Sequence, residues 1–435
     1  MTYEQAIEKI HSLLTFGSRP GLDRILQLLD RMNNPQDKLR YIHVAGTNGK
    51  GSTCAMLSSM LAAAGYKTGL FISPYITDFR ERIQINNCMV SKNELANAVE
   101  ETFPLVERLS REGIVITEFE YVNALQFYIH SRAKCDIVVL ETGMGGLLDC
   151  TNVIKPPLCS VITAIGLDHT AILGDTIEKI ALQKCGIMKS GSTAVTSKQE
   201  ESVMKIIEQT AIDRKMPLAK SENIQLDNIK QTLSGSSFEY NGTKVNLHLA
   251  GTHQIENCKT ALAAIEFLRL NGLISITDEQ ISAGLSLAEN PARMELLSEN
   301  PFVILDGAHN PNGITALRKT IKEFLIDKKI ICIIGMLADK DIDSSLVLLK
   351  DVLDTVYTVS VANPRTLPSE ELAEKCRKIF SNVKSFDNVE KAFDTAFAKA
   401  QNENCAVVIC GSLYLAGEVR PYIKAKINNI GDIYD

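Results

Sequence analysis

The sequence has no tryptophan, no C-x-x-C pair and no apolar run long enough to cross a membrane. The missing tryptophan has no functional reading. The 11 cysteines are scattered, and none of the seven histidines stands near a cysteine pair at zinc spacing. That argues against a zinc finger or ribbon and for reduced, mostly buried thiols. The opening MTYEQAIEKI carries charge where a secretory signal needs an apolar core, so a cytoplasmic protein is expected. A basic excess is missing too. The formal net charge is −6, and no bulk field favours nucleic acid or an anionic membrane. An anionic substrate has to be held by local lysines and arginines.

What is present is the balance of a globular protein: 435 residues, 45% hydrophobic and 23% charged, enough for two or three domains. IEKIHSLL and RILQLLDRM have helical apolar spacing and are separated by FGSRPG. Strand-like runs then alternate with helical ones. YIHVA leads to a helix from about Ser52 to Ala64; TGLFI follows; a helix from Phe119 to Arg132 precedes DIVVLE and then SVITAI. The alternation predicts a mostly parallel sheet with helices on both faces, an N-terminal P-loop-type α/β domain. Between Ile224 and Leu249 the pattern turns to antiparallel hairpins, expected as an addition to that sheet. A long helix from Gln254 to Asn271 and a shorter one from Asp278 follow. The polar, proline-bearing AENPARMELLSENP reads as a linker, dividing domains at 1–293 and 298–435. Beyond it FVILDGA, IICIIGM, TVYTVSV and AVVICGS alternate with helices as a smaller Rossmann-like unit.

Four segments carry chemistry. YIHVAGTNGKGST places glycines, Lys50, Ser52 and Thr53 between a strand and a helix, where amides and a lysine cradle phosphates. It departs from G-x-x-x-x-G-K-[ST], because Gly51 separates Lys50 from Ser52 and Val44 stands where the first glycine belongs. Glu141 ends the strand run DIVVLE, a position suited to Mg²⁺ or to an ordinary acidic loop residue. Asp168 and His169 follow SVITAI; a lone loop histidine is more often structural than metal-bound. Lys184 lies in an apolar helical stretch, so it either snorkels outward or is paired or chemically altered. In VILDGAHNPNG, Asp306 suits a ribose or phosphate contact, or a plain Asp-Gly turn.

Taken in order, these segments resemble folylpolyglutamate synthase, a branch of the Mur ligase superfamily that also includes dihydrofolate synthase. The resemblance spans nearly the whole chain: FGSRPGLDRILQLL, IHVAGTNGKGST, FISPYITDFRERIQIN, ETGMGG…DCTN, GLDHTAILGDT with QKCGIMK, GTHQIENCKTAL, PARMELL, DGAHNPNG, GMLADKD, NPRTLP and GSLYLAGEVR. It implies an ATP-dependent ligase that joins L-glutamate to a folate carboxylate through an acyl phosphate. By resemblance, Gly49, Lys50, Gly51 and Ser52 surround the ATP phosphates; Ser73, Glu141 and His169 bind Mg²⁺; Lys184 is carried as a carbamate; Asn257, Arg293 and Asp306 contact ATP; and His309 takes part in catalysis. It also implies a cleft closing about a hinge between Pro291 and Pro301, folate, glutamate and ATP as partners, and a monomer.

Three positions depart from the family pattern. Tyr75 stands where histidine often follows Ser-Pro, Leu147 where arginine often follows the double glycine, and Ala171 where glutamate is common after Asp-His-Thr. Tyr75 and Leu147 fall near the expected pterin position. Polyglutamylation is therefore expected over dihydrofolate formation, with a bifunctional enzyme as the alternative. A nucleotide switch that only senses ATP is the reading from another class.

Overall fold

In the computed structural model, which describes residues 1–16 and 21–434, YIHVA forms β1 (Tyr41–Ala45) and all five residues are buried. A strand with no exposed face belongs inside a parallel sheet covered on both sides. α1 (Tyr3–His11) and α2 (Asp23–Arg31) precede it, and α3 (Lys50–Ala63) connects it to β2 (Thr68–Phe71). The antiparallel β3 (Ile83–Ile85) and β4 (Cys88–Met89) come next. α4 (Lys92–Arg111) and α5 (Glu118–Arg132) then return the chain to β5 (Ile137–Glu141). Both of these helices begin at capping boxes, Ser91 with Glu94 and Thr117 with Glu120, which satisfy otherwise orphaned first-turn amides. β6 (Cys159–Ile162), α6 (Thr170–Leu173), α7 (Ile177–Cys185), β7 (Thr193–Thr196), α8 (Glu201–Asp213) and β8 (Leu218–Lys220) complete the sheet.

The eight strands run in the order β4-β3-β2-β5-β1-β6-β7-β8. Those from β2 to β8 in this order are parallel. The carboxyl ends of β2, β5, β1 and β6 are therefore neighbours, which is what positions the site. One apolar core packs Ile10, Leu28, Leu95, Phe103 and Leu125 with strand residues Val138 and Leu140. Another packs Ile180, Val203 and Ile207 with Ile162 and Ala194.

β9 (Asp227–Thr232), β10 (Gly235–Tyr240) and β11 (Thr243–Leu247) form the expected antiparallel ladder, but as a separate three-stranded sheet rather than an addition to the large one. α9 (Thr252–Leu270) and α10 (Asp278–Ser286) follow. The stretch read as linker holds a strand, β12 (Glu295–Glu299), paired antiparallel with β13 (Phe302–Leu305). α11 (Pro311–Phe324), β14 (Lys329–Ile334), α12 (Ile342–Leu349), β15 (Thr355–Val359), α13 (Ser369–Arg377), β16 (Val383–Phe386), α14 (Val389–Asn402), β17 (Cys405–Cys410) and α15 (Leu413–Tyr434) complete the chain. Their sheet has the order β12-β13-β17-β14-β15-β16, parallel except for β12.

Two compact units result: residues 1–227, 239–245 and 256–288, and residues 228–238, 246–255 and 289–435. Helix ends differ from expectation by one or two residues: α3 starts at Lys50, α5 at Glu118, and α9 runs Thr252–Leu270. Part of the FGSRPG turn, residues 17–20, lies outside the described residues. Ten of the 11 cysteines are buried, and each of the 11 is a free thiol. Among the described residues, no helix is long and apolar enough to cross a membrane.

Candidate active site

The loop after β1 wraps the head of α3. Thr47 and Asn48 amides donate to Ala164 O at 2.9 and 3.1 Å, and the Thr163 hydroxyl donates to Asn48 O at 2.8 Å. The loop is thus pinned to the end of β6. Gly49 caps α3 at φ 86°, and a Cβ there would lie 2.2 Å from Asn257 Oδ1. Both the backbone sign and the space require glycine. α3 has no side-chain cap and no acid in its first turn. The amides of Gly49, Lys50 and Gly51 at that positive helix end are therefore suited to phosphate oxygens. Asn257 is itself buried, on α9.

Lys50 curls back over the loop, with Nζ 3.2 Å from Gly46 O and 3.4 Å from Thr47 O. It also lies 4.0 Å from Glu141 Oε1. Glu141, at the end of β5, is only 4% exposed. Its Oε2 accepts the Ser73 amide at 3.2 Å, and the Ser73 hydroxyl accepts from Arg82 Nη1 at 3.2 Å. Arg82, in the FRER run, was not singled out in the sequence, where it looks like part of a solvated charge cluster.

Lys184 does not snorkel. It is 4% exposed in the last turn of α7, and its Nζ donates to Gly46 O at 2.6 Å. Burial, with the Lys50 ammonium adding to it, lowers its pKa to about 7, against smaller opposing pulls from Asp168 and Asp149. The glycine-rich turn permits this placement. A Cβ on Gly146 would sit 2.7 Å from Gln183 O and 2.8 Å from Lys184 O, and the Leu147 amide donates to Gln183 O at 2.7 Å. Buried Asp149 clasps the same turn through the amides of Met144 and Thr151.

Lys50 and Lys184 therefore meet at the Gly46 carbonyl, and Lys50 connects that pair to Glu141 and, through it, to the Ser73 amide. His169 contacts its own loop, with φ 51° and Nε2 3.9 Å from Asp168 Oδ1. Among the described residues, no three His, Cys, Asp or Glu side chains gather as a metal cage. Ser73 and Glu141 are nevertheless neighbours through the Ser73 amide, and each carries a hard side-chain oxygen, which fits magnesium, an ion held through few side chains plus phosphate oxygens.

In the second unit, both Asp306 oxygens are engaged: Oδ2 accepts the Met294 amide and Oδ1 the Ala308 amide, each at 2.7 Å. Burial raises its pKa while Arg293 and those amides pull downward. The carboxylate thus ties the segment after Arg293 to the loop after β13. His309 Nδ1 lies 2.8 Å from Gly307 O. A carbonyl only accepts, so Nδ1 carries a proton. Asn310 caps α11 through Oδ1, which accepts the Gly313 amide at 2.8 Å.

The chain is similar to known proteins over nearly its whole length. The Mur ligase middle domain matches residues 44–265, and the Mur ligase glutamate ligase domain matches residues 292–413. A Bacillus subtilis dihydrofolate synthase/folylpolyglutamate synthase is 37% identical, covering 97% of this chain and 99% of its own. A Lacticaseibacillus casei folylpolyglutamate synthase is 34% identical, covering 97% and 98%. Among solved structures, Mycobacterium tuberculosis folylpolyglutamate synthase complexed with ADP superposes with a TM-score of 0.89 at 29% identity, covering 97% and 99%. Escherichia coli FolC in complex with DHPP and ADP gives 0.84 at 32% identity, covering 98% of each chain. The chain belongs to the Mur ligase family of ATP-dependent amide ligases, on its folylpolyglutamate synthase/dihydrofolate synthase branch.

Proposed function

We propose that the chain joins L-glutamate to the carboxylate of a reduced folate, with ATP cleaved to ADP and phosphate. The observation that carries this reading is the meeting of Lys50, Ser73, Glu141 and Lys184 at the edge where β2, β5, β1 and β6 end. The folate carboxylate attacks the γ-phosphorus and displaces ADP, giving an acyl phosphate. The glutamate amine then attacks the acyl carbon, phosphate leaves with the C–O bond electrons, and the amine gives up its proton. Positioning and charge stabilisation do most of the work in such phosphoryl chemistry.

In this reading the Gly49, Lys50 and Gly51 amides and the Lys50 ammonium hold the phosphates, with Ser52 beside them. Asn257, Arg293 and Asp306 contact the nucleotide, and His309 assists through Nε2. Ser73, Glu141 and His169 would hold magnesium. When bound, the ion would supply charge neutralisation to phosphate oxygens. The Lys184 amine, with its pKa lowered to about 7, has the neutral fraction that addition to CO2 requires. A carbamate there replaces the ammonium by an anion facing Lys50, which removes a like-charge pair from a buried site.

A second reading has its own support, because relatives from B. subtilis and E. coli carry both synthase names. We favour polyglutamylation alone, since Tyr75 and Leu147, near the expected pterin position, depart from the family pattern. The test is ADP formation with glutamate and MgATP, given either tetrahydrofolate or dihydropteroate. The expected result is turnover with tetrahydrofolate only. Comparable turnover with dihydropteroate would establish the bifunctional reading.

A further inference from the structure

The segment between β2 and β3 is held by its own side chains. The Glu81 carboxylate accepts the amides of Ile76, Thr77 and Asp78 at 2.7, 2.9 and 2.9 Å. Tyr75 and Phe79 meet edge to face, 5.7 Å apart. The Arg82 guanidinium lies over both rings, 5.1 Å from Tyr75 and 5.8 Å from Phe79. At its base, the Ile72 amide donates to Arg82 O at 3.2 Å, and β3 pairs Ile83 with Phe71. Backbone, stacking and side-chain contacts thus restrict Arg82 together.

From this restrained position Nη1 donates to Ser73 Oγ at 3.2 Å, while the Ser73 amide donates to Glu141 Oε2 at 3.2 Å. The hydroxyl and the amide of Ser73 are thus both oriented, one by a cation and one by the candidate magnesium carboxylate.

We propose that Arg82 is a positioning residue of the ligase site. It fixes the Ser73 hydroxyl beside Glu141, and Tyr75 is the ring that holds Arg82 in place. The inference rests on the reading of Ser73 and Glu141 as magnesium ligands. A hydroxyl oxygen that accepts one guanidinium N–H keeps one lone pair and its own proton. Fixing the first contact therefore directs the second lone pair. The tyrosine at position 75 fits this task, because a neutral ring face attracts a guanidinium. A histidine there would lose that attraction whenever it was protonated.

The test is ADP binding by calorimetry, with and without Mg²⁺, on wild type, Arg82→Met, Ser73→Ala, the double variant, Arg82→Lys, Tyr75→Phe and Tyr75→Leu. Melting temperatures serve as the folding control. Arg82→Met is expected to weaken Mg²⁺-dependent binding by about tenfold, on the scale of one charged hydrogen bond, and to leave Mg²⁺-free binding unchanged. In the Ser73→Ala background the same change should cost nothing further. Arg82→Lys should recover only part of the loss, because an ammonium lacks the planar fork. Tyr75→Phe should keep more binding than Tyr75→Leu, which probes the clamp even if Arg82→Met does not fold. Equal losses from Arg82→Met with and without Ser73 would overturn the inference and leave the magnesium reading standing. A silent Ser73→Ala beside an active Arg82→Met would overturn both.

Discussion

Lys184 has lost most of its water without gaining a carboxylate partner at hydrogen-bond distance among its described contacts: its ammonium meets the Gly46 carbonyl, with Lys50 nearby. Two predictions follow at this scale. Lys184→Ala should lower turnover by about a hundredfold or more, the scale of a lost charge-stabilising group, and wild type should slow in bicarbonate-free buffer while the variant does not. Steady-state ADP release in both buffers checks this; full turnover by the variant would remove Lys184 from the mechanism. The second concerns stability. The folded pKa, about 7, lies below lysine's ordinary 10.5, so between these pH values the unfolded chain binds the extra proton. Stability from this group therefore rises as pH increases from 7 toward 10.5, at up to about 1.4 kcal/mol per pH unit. Denaturant midpoints in CO2-free buffer should show this slope in wild type and not in Lys184→Met. Burial is the main cause of the shift; of the charged groups that face Lys184, Lys50 adds to it and Asp168 and Asp149 oppose it.

Among the elements, the turn between β1 and α3 is under the tightest constraint. Gly49→Ala would bring a methyl to 2.2 Å from Asn257 Oδ1 at a positive φ. The expected cost is about 1–3 kcal/mol of stability, together with weaker ADP binding, measured by thermal melts and calorimetry on the same sample. Unchanged binding would show that the turn does not cradle the nucleotide. Much of this was legible from sequence. YIHVA, DIVVLE and SVITAI are largely apolar, as suits buried parallel strands, and each is followed by glycine or polar residues at its carboxyl end. The glycines of GTNGKGS had a reading because few other turns need them beside a lysine.

Other elements were not legible, for identifiable reasons. β12 reads as linker in the sequence because Pro291 and Pro301 bracket a short polar run, and its pairing with β13 is a tertiary fact. The separate sheet of β9, β10 and β11 has the pattern of any hairpin, which does not say which strands it joins. Lys184 left two readings open, since its acceptor, Gly46 O, comes from 138 positions away. Arg82 looks like surface charge until Tyr75, Phe79 and Ser73 are seen around it.

For the molecule as a whole, the separation of chemistry-bearing groups argues for a ligase rather than a nucleotide sensor. One unit carries the Lys50, Ser73, Glu141 and Lys184 cluster, and the other carries Arg293, Asp306 and His309 on its own Rossmann-like sheet. Nucleotide alone should stabilise the protein by mass action, about 2.7 kcal/mol at a hundredfold excess over Kd, and a switch would behave the same way. Stabilisation therefore cannot separate the two, whereas product coupling can. The decisive measurement is simultaneous quantification of ADP and glutamylated folate from the purified protein with MgATP, tetrahydrofolate and L-glutamate, omitting each in turn. One ADP for each glutamate joined to folate, with both abolished when either acceptor is left out, is the result the account predicts. ADP release at the full rate without folate or glutamate, and no glutamylated product, would contradict it.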